Sequence, residues 1–261
     1  MQNNVKNTYT QEDIENALRQ IGLVKGDHIF THSNVGFFGI LEGAETENDY
    51  YRIFKAAIFN VIGSEGTMIM PTFTYSYCWK KFYNKKTSPS ECGLLPEMMR
   101  LDPEAFRSDD ANFSIVAIGN LAEYFIRNPP INSFGPDSFW ERFLMKNGKI
   151  VNFNFDSAST FFHYVERVLK VPYRWDKKFP GISIIDGKEV KGEYYHFVYD
   201  LEKPNHVPEF TKFHKRAEEL GYVKKVNLGR GQIISITARD TFDLIKKELK
   251  TNPSFLIVGP L

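Results

Sequence analysis

His163 and Glu166 stand three residues apart, a spacing that puts both side chains on one face of a helix. An imidazole titrates near neutral pH, and a carboxylate beside it can fix its tautomer. Such a pair can take a proton from a substrate or return one. The stretch around it, Phe153 to Glu166, reads FNFDSASTFFHYVE. Lys149 to Phe155 is an apolar run of the kind that forms a buried strand. Asp156-Ser157-Ala158-Ser159 breaks it, and a helix starts near Thr160. Asp, Ser and Thr cap helix N-termini because their side-chain oxygens accept the first free backbone N–H groups. His163 therefore falls in the first turn, near the positive end of the helix. A His and a Glu at this spacing also occur as a solvated surface pair. Phe161, Phe162, Tyr164 and Val165 around them predict a largely buried helix instead.

These residues need a frame. Thr10 opens a helix that carries Ile14, Leu18 and Ile21 on one face and stops at Gly22. His28 to Thr31 reads as a short strand. It runs into His32-Ser33-Asn34-Val35-Gly36-Phe37-Phe38-Gly39, a loop whose backbone N–H groups could approach a phosphate or a carbonyl oxygen. The loop matches neither the phosphate-binding P-loop pattern nor the dinucleotide fingerprint. Asn48 to Ile62 is helical in pattern, and Met68 to Met70 is a strand stopped by Pro71. Thr72 to Ser90 is long, aromatic and basic without clear periodicity, which predicts a wall on the substrate side. Short helices follow over Gly93–Arg100, Asn120–Arg127 and Ser138–Lys146, with a strand at Ile115–Ile118. Val171 to Trp175 reads as irregular. Ile182–Ile185 and Glu189–Tyr199 form a hairpin across Asp186-Gly187. A helix over Pro208–Leu220, strands over Val223–Asn227 and Gln232–Thr237, and a helix over Asp240–Leu249 complete the chain. The expected fold is a single α/β domain over residues 1–261. It has a mixed central sheet flanked by helices and additional antiparallel strands in the C-terminal third.

Composition narrows the function. The 261 residues carry a net charge of +1 with 25% charged residues, so no field favours nucleic acid, membrane or a polyanion. Aromatic residues make up 15%, which suggests aromatic-lined clefts. Cys78 and Cys92 are the only cysteines; they form neither a disulfide framework nor a C-x-x-C metal pattern. The N-terminus MQNNVKNTYTQED lacks an apolar core, and no stretch is long enough to span a bilayer. A cytoplasmic globular protein acting on small molecules, without a metal, is expected; a homo-oligomer is compatible with it.

Several stretches together resemble the aminoglycoside 3-N-acetyltransferase family. They are HSNVGFFG at His32 to Gly39, EGTMIMPTFT at Glu65 to Thr74, GLLPEMMRLDPEAFRS at Gly93 to Ser108 and SIVAIG at Ser114 to Gly119. FGPDSFWERF at Phe134 to Phe143 follows, then TFFHYVE at Thr160 to Glu166 with PYR at Pro172 to Arg174. Two departures stand out. Asp110-Ala111 occupies the place of the family's usual His-Pro pair, and Asn152 or Asn154 stands where the family has a glycine.

The resemblance implies acetyl-coenzyme A as donor and a primary amine on a sugar ring as acceptor. His163 is then the general base, with Glu166 or Asp156 holding its tautomer. The loop of His32, Ser33, Asn34, Val35, Gly36 and Phe37 is expected at the cofactor thioester, with Arg107, Ser108 and Ser114 as further cofactor contacts. Tyr75, Asp110 and Thr160 are expected on the acceptor side. The acceptor is either an aminoglycoside or a nucleotide-linked amino sugar of surface-glycan synthesis. Two rival readings are a Cys78 or Cys92 nucleophile activated by His163 or His32, and a non-catalytic binding protein.

Overall fold

The computed structural model describes residues 7–260. The first half holds β1 (Thr8–Tyr9), α1 (Gln11–Gln20), β2 (His28–Phe30), β3 (Ile40–Leu41), α2 (Glu47–Ile62), β4 (Thr67–Pro71), α3 (Leu94–Leu101), β5 (Phe106–Arg107), β6 (Ile115–Gly119) and α4 (Ala122–Ile126). Then come α5 (Phe139–Met145), β7 (Lys149–Phe153), α6 (Phe161–Val168), β8 (Arg174–Ile185), β9 (Lys188–Tyr199), α7 (Thr211–Glu219), β10 (Lys224–Leu228), β11 (Gly231–Thr237) and α8 (Ala238–Thr251).

Seven strands form one sheet in the order β10-β11-β7-β2-β4-β6-β5. The β2 strand pairs parallel with β4 and β7, and the outer pairs are antiparallel, so the sheet is mixed as expected. Successive strand residues point to opposite faces. Phe30, Ile69, Ala117 and Ile150 accordingly enter one core, with Trp140, Phe143 and Phe161 of α5 and α6. Ile29, Met68, Met70, Val116 and Val151 enter the other, with α1, α2 and α3.

The helix starts follow cap chemistry. Thr10 and Thr46 each form a reciprocal capping box, with Asp13 and Asp49 respectively. At α6 the expected cap is different. Thr160 already has helical angles and makes no side-chain cap; Ser159 Oγ accepts the Phe161 N–H at 3.3 Å instead. The C-terminal hairpin is also longer than its pattern indicates. The β8 strand begins at Arg174, inside the stretch that reads as irregular, and pairs through to Ile185.

That hairpin is bolted to the Thr72–Ser90 segment. Gly181 and Gly192 face each other across β8 and β9, and the Tyr77 ring covers both. Tyr77 Oη bonds Ser183 Oγ at 2.8 Å, and Tyr83 forms a bridge to Ser183. Tyr77 and Tyr83 are buried, so this segment is a packed wall anchored by its own aromatics.

Candidate active site

The β7 strand ends in a left-handed residue, Asn154, with φ +59°. Glycine adopts that conformation freely and asparagine is the side chain that tolerates it best. Asn154 Oδ1 accepts the Gln232 N–H at 3.0 Å, and its Nδ2 donates to the Asn34 carbonyl at 2.9 Å. Asn152, fully buried, donates to the carbonyls of Asp156 and Ala158 at 2.6 and 2.8 Å. Its Oδ1 accepts the His32 N–H at 3.4 Å. The two asparagines thus lock the 32–36 loop to the turn that launches α6. Ser157, also buried, ties that turn to α7 through His214 Nδ1 at 3.0 Å.

His163 sits in the first turn of α6. Its side chain is 22% exposed, while that of Glu166 is completely buried. The imidazole is therefore open to a ligand and the carboxylate is not. His163 Nδ1 lies 3.3 Å from Glu166 Oε2. Tyr173 Oη donates to Glu166 Oε1 at 3.0 Å and Tyr199 Oη does so at 3.3 Å. Arg174 Nη1 pairs with Glu166 Oε2 and lies 2.7 Å from His163 Nδ1. Phe134 and Tyr199 stand edge-on to the imidazole. Burial pushes Glu166 up, but Arg174, with His163 and the Tyr173 hydroxyl, more than offsets it, so the carboxylate stays ionised. His163 is held below its ordinary value by burial first and by Arg174 second, against the pull of Glu166.

His32 faces the same turn. Its Nε2 accepts the Thr160 N–H at 3.4 Å and lies 3.5 Å from Ser159 Oγ. Burial, with the nearby His163, lowers it to about 4, so it is neutral at working pH. Beside it Ser33 Oγ is buried and has no hydrogen-bond partner among the described residues. Val35 is buried, and Gly36 and Phe37 are exposed at the loop's crest.

The family model for aminoglycoside 3-N-acetyltransferase matches residues 31–250. The chain belongs to that family. It is 24% identical over 269 residues to an aminoglycoside N(3')-acetyltransferase-like protein, YokD, of Bacillus subtilis, with 94% of each chain covered. It is 28% identical over 189 residues, 64% of each chain, to aminoglycoside N(3)-acetyltransferase III of Salmonella sp.. Among solved structures, AAC-IIIb in a binary complex with CoASH superposes with a TM-score of 0.80 at 19% identity, covering 94% of this chain and 97% of that one. AAC-VIa bound to sisomicin superposes with a TM-score of 0.79 at 20% identity, covering 94% and 98%. The architecture described above is the fold of these enzymes.

Within this family frame, several expected site residues fall elsewhere. Asp156 does not reach His163; its Oδ1 accepts the Ala158 N–H at 2.8 Å and shapes the turn. Glu166 is the carboxylate at the imidazole. Arg107 is not an open anion clamp. Its Nη1 donates to the carbonyls of Lys85 and Ser88 at 2.9 and 2.7 Å, its Nη2 to that of Thr72 at 2.9 Å, and its Nε to Ser114 Oγ at 3.2 Å. Ser108 Oγ accepts the Ile115 N–H at 2.9 Å, and Ser114 Oγ donates to the Thr72 carbonyl at 2.5 Å. Arg107 and Ser114 staple the Thr72–Ser90 wall to the sheet edge, and Tyr83 Oη adds a bond to the Ser108 carbonyl at 3.0 Å.

Asp110 also faces inward. Oδ1 accepts the N–H groups of Asn112 and Phe113 at 2.9 and 2.8 Å, and Oδ2 accepts the Ser133 hydroxyl at 2.5 Å. Asp110 thus folds its own loop and ties it to Ser133. Tyr75 is half-buried with φ +49°, packed edge-on against Phe73 and Phe113. Thr160 contributes its backbone N–H to His32. Arg174, Tyr173 and Tyr199 join the cluster without having been singled out. Only the PYR stretch marked two of them, and Tyr199 reaches Glu166 from 33 residues away. Among the described residues no group of three or more His, Cys, Asp or Glu is placed to hold a metal ion. No helix among them is long and apolar enough to cross a membrane.

Proposed function

We propose that this chain transfers an acetyl group from acetyl-coenzyme A to a primary amine of an amino sugar, with His163 as general base. The observation that carries this reading is a partly exposed imidazole seated on a fully buried carboxylate that its neighbours keep ionised. An amine is mostly protonated near pH 7 and cannot attack a thioester until a base removes a proton. His163 serves as base from Nε2 when Nδ1–H is donated to Glu166 and the Arg174 Nη1 protons are directed at the same carboxylate and not at Nδ1; the imidazolium so formed can then protonate the departing thiolate of coenzyme A. Negative charge developing on the thioester oxygen needs donors. The Ser33 hydroxyl, buried and without a hydrogen-bond partner among the described residues, and the backbone of the 32–36 loop fit that need. Acetyl-coenzyme A, when bound, supplies the activated acyl group; every proton movement is left to the protein.

We take as the candidate acceptor site a cleft of about 640 Å³ along the C-terminal hairpin that has Tyr199 in its lining. Trp175, half exposed, offers a face for a sugar ring, and Asp200 and Glu202 offer charge to ammonium groups. That chemistry suits a polyamino sugar. A nucleotide-linked amino sugar is the second acceptor class, with Lys177 as the one cation among the cleft residues.

The cysteine route fits poorly. Asn112 Oδ1 accepts the backbone N–H groups of Tyr77 and Cys78 at 2.9 and 3.1 Å, which fixes its amide. Its Nδ2 then donates to His196 Nε2 at 3.0 Å, leaving the proton on Nδ1, which faces Cys78 Sγ at 3.9 Å. His196 cannot accept the thiol proton there, and burial raises Cys78 to about 11. Cys92 is raised to about 11 as well, again by burial.

The test is free-thiol release from acetyl-coenzyme A over a panel of aminoglycosides, nucleotide-linked amino sugars and a no-acceptor control. Acceptor-dependent release supports the reading, and the acceptor that gives it decides between the two classes. Bound coenzyme A with no release on any amine supports the binding-protein reading instead.

A further inference from the structure

A histidine beside a buried carboxylate faces an electrostatic conflict. Glu166 is fully buried and 3.3 Å from His163 Nδ1. A negative charge so placed favours imidazolium, which has no lone pair for an amine's proton. The base can work only if another group opposes Glu166. Arg174 is that group by position. Its side chain is 4% exposed, and Nη1 touches both Glu166 Oε2 and His163 Nδ1. The guanidinium carbon stands 4.0 Å above the Tyr199 ring, which closes the far side. Arg174 Nε is buried and has no hydrogen-bond partner among the described residues. A guanidinium held with one donor unmet is a costly arrangement for stability alone.

We propose that Arg174 is a positioning residue that keeps His163 a free base, by cancelling the charge of Glu166 at Nδ1. The site then rests as a neutral imidazole beside an Arg–carboxylate pair, not as an imidazolium–carboxylate pair with an idle arginine. The polar groups around the His163–Glu166 pair come from five places. They are Glu166 on its own helix, Tyr173 ahead of β8, Arg174 on β8, Tyr199 on β9 and His32 on the loop after β2. Of these only Glu166 and Arg174 carry full charge near neutrality, and they are opposite in sign. Arg174→Gln therefore leaves the His163–Glu166 pair holding its proton more tightly. Arg174→Lys keeps the charge.

This inference rests on His163 being the base, but its test does not need turnover. The His163 ring nitrogens are titrated by ¹⁵N NMR in the full chain without substrate, the signal being assigned by its loss in His163→Gln. The Arg174→Gln midpoint is expected about one pH unit or more above wild type, the shift an unopposed neighbouring carboxylate produces. Arg174→Lys is expected to stay near wild type. Glu166→Gln is expected to move the midpoint below wild type, since Arg174 is then unopposed. The acid limb of the pH–rate profile should move with the midpoint in Arg174→Gln. An unchanged midpoint in a folded Arg174→Gln, shown by its melt and by coenzyme A binding, overturns the proposal. If that variant does not fold, an unchanged midpoint in Glu166→Gln overturns it. A midpoint that moves as expected while His163→Gln retains full turnover would sink the base assignment and leave the electrostatic role of Arg174 standing.

Discussion

Arg107→Ala separates two roles for one arginine. As an anion clamp it would contact cofactor phosphate, and its loss would weaken coenzyme A binding with little effect on stability. The structure gives it four donors directed at protein atoms, three of them to carbonyls of the Thr72–Ser90 wall. Hydrogen bonds to a charged group contribute about 1.5–3 kcal/mol each. Lys85 and Ser88 are part-exposed, so water can replace Arg107 at their carbonyls. Thr72 and Ser114 are buried, so water does not replace Arg107 there, and they keep their bonds to each other. Two bonds without replacement give about 3 kcal/mol or more of lost stability. That corresponds to roughly 6–12 °C in melting temperature for a chain of this size. Urea unfolding and calorimetry of coenzyme A binding measure the two quantities on the same sample. A loss of that size, with affinity within about threefold of wild type below the melt, is expected. Unchanged stability with affinity down tenfold or more would refute the stapling role.

Other outcomes follow from the same contacts. Gly181→Ala places a Cβ 2.2 Å from the Tyr77 ring, so it should destabilise by about 1–3 kcal/mol and raise amide exchange along β8 and β9. Cys78→Ser and Cys92→Ser should each keep turnover within about twofold; a 100-fold loss in either would revive the thiol route. Asp110→Ala should lower stability by roughly 2–3 kcal/mol through its freed N–H groups, and leave the acceptor KM unchanged. Burial lowers His32 to about 4 and His196 to about 3, against about 6.5 unfolded. The unfolded chain therefore binds more protons than the folded one as pH falls below 6.5. Stability should drop by about 2–3 kcal/mol between pH 6.5 and 5, at up to about 1.4 kcal/mol per unit for each histidine. Denaturant unfolding across that range measures it, and a flat profile would contradict the lowered values of these two rings.

Local relations were legible in the sequence and distant ones were not. His163 and Glu166 are three residues apart on one helix, so their pairing follows from helical geometry alone. Thr10 announces α1 through cap chemistry; for α2 the pattern starts at Asn48, and the structure starts it one residue earlier at Glu47, behind a Thr46 cap. Asp186-Gly187 marks its hairpin turn. Arg107 and Asp110 looked like ligand contacts because a buried arginine or aspartate in a loop announces only that it needs partners. Those partners, Lys85, Ser88 and Ser133, lie 19 to 23 residues away and are chosen by tertiary packing. Arg174 hid in a stretch without periodicity, since the strand it begins is paired to Tyr199, 25 positions on. Asn154 takes a left-handed angle that a glycine would adopt freely, a backbone feature that residue type alone only hints at.

The most direct measurement of the central claim is the turnover of His163→Ala, by thiol release, alongside calorimetric coenzyme A affinity of the same preparation. A fall of roughly 100-fold or more with coenzyme A affinity nearly unchanged is the result expected of a positioned general base. Turnover at the wild-type level in that variant would remove His163 from the chemistry, and with it the account of how this fold acts.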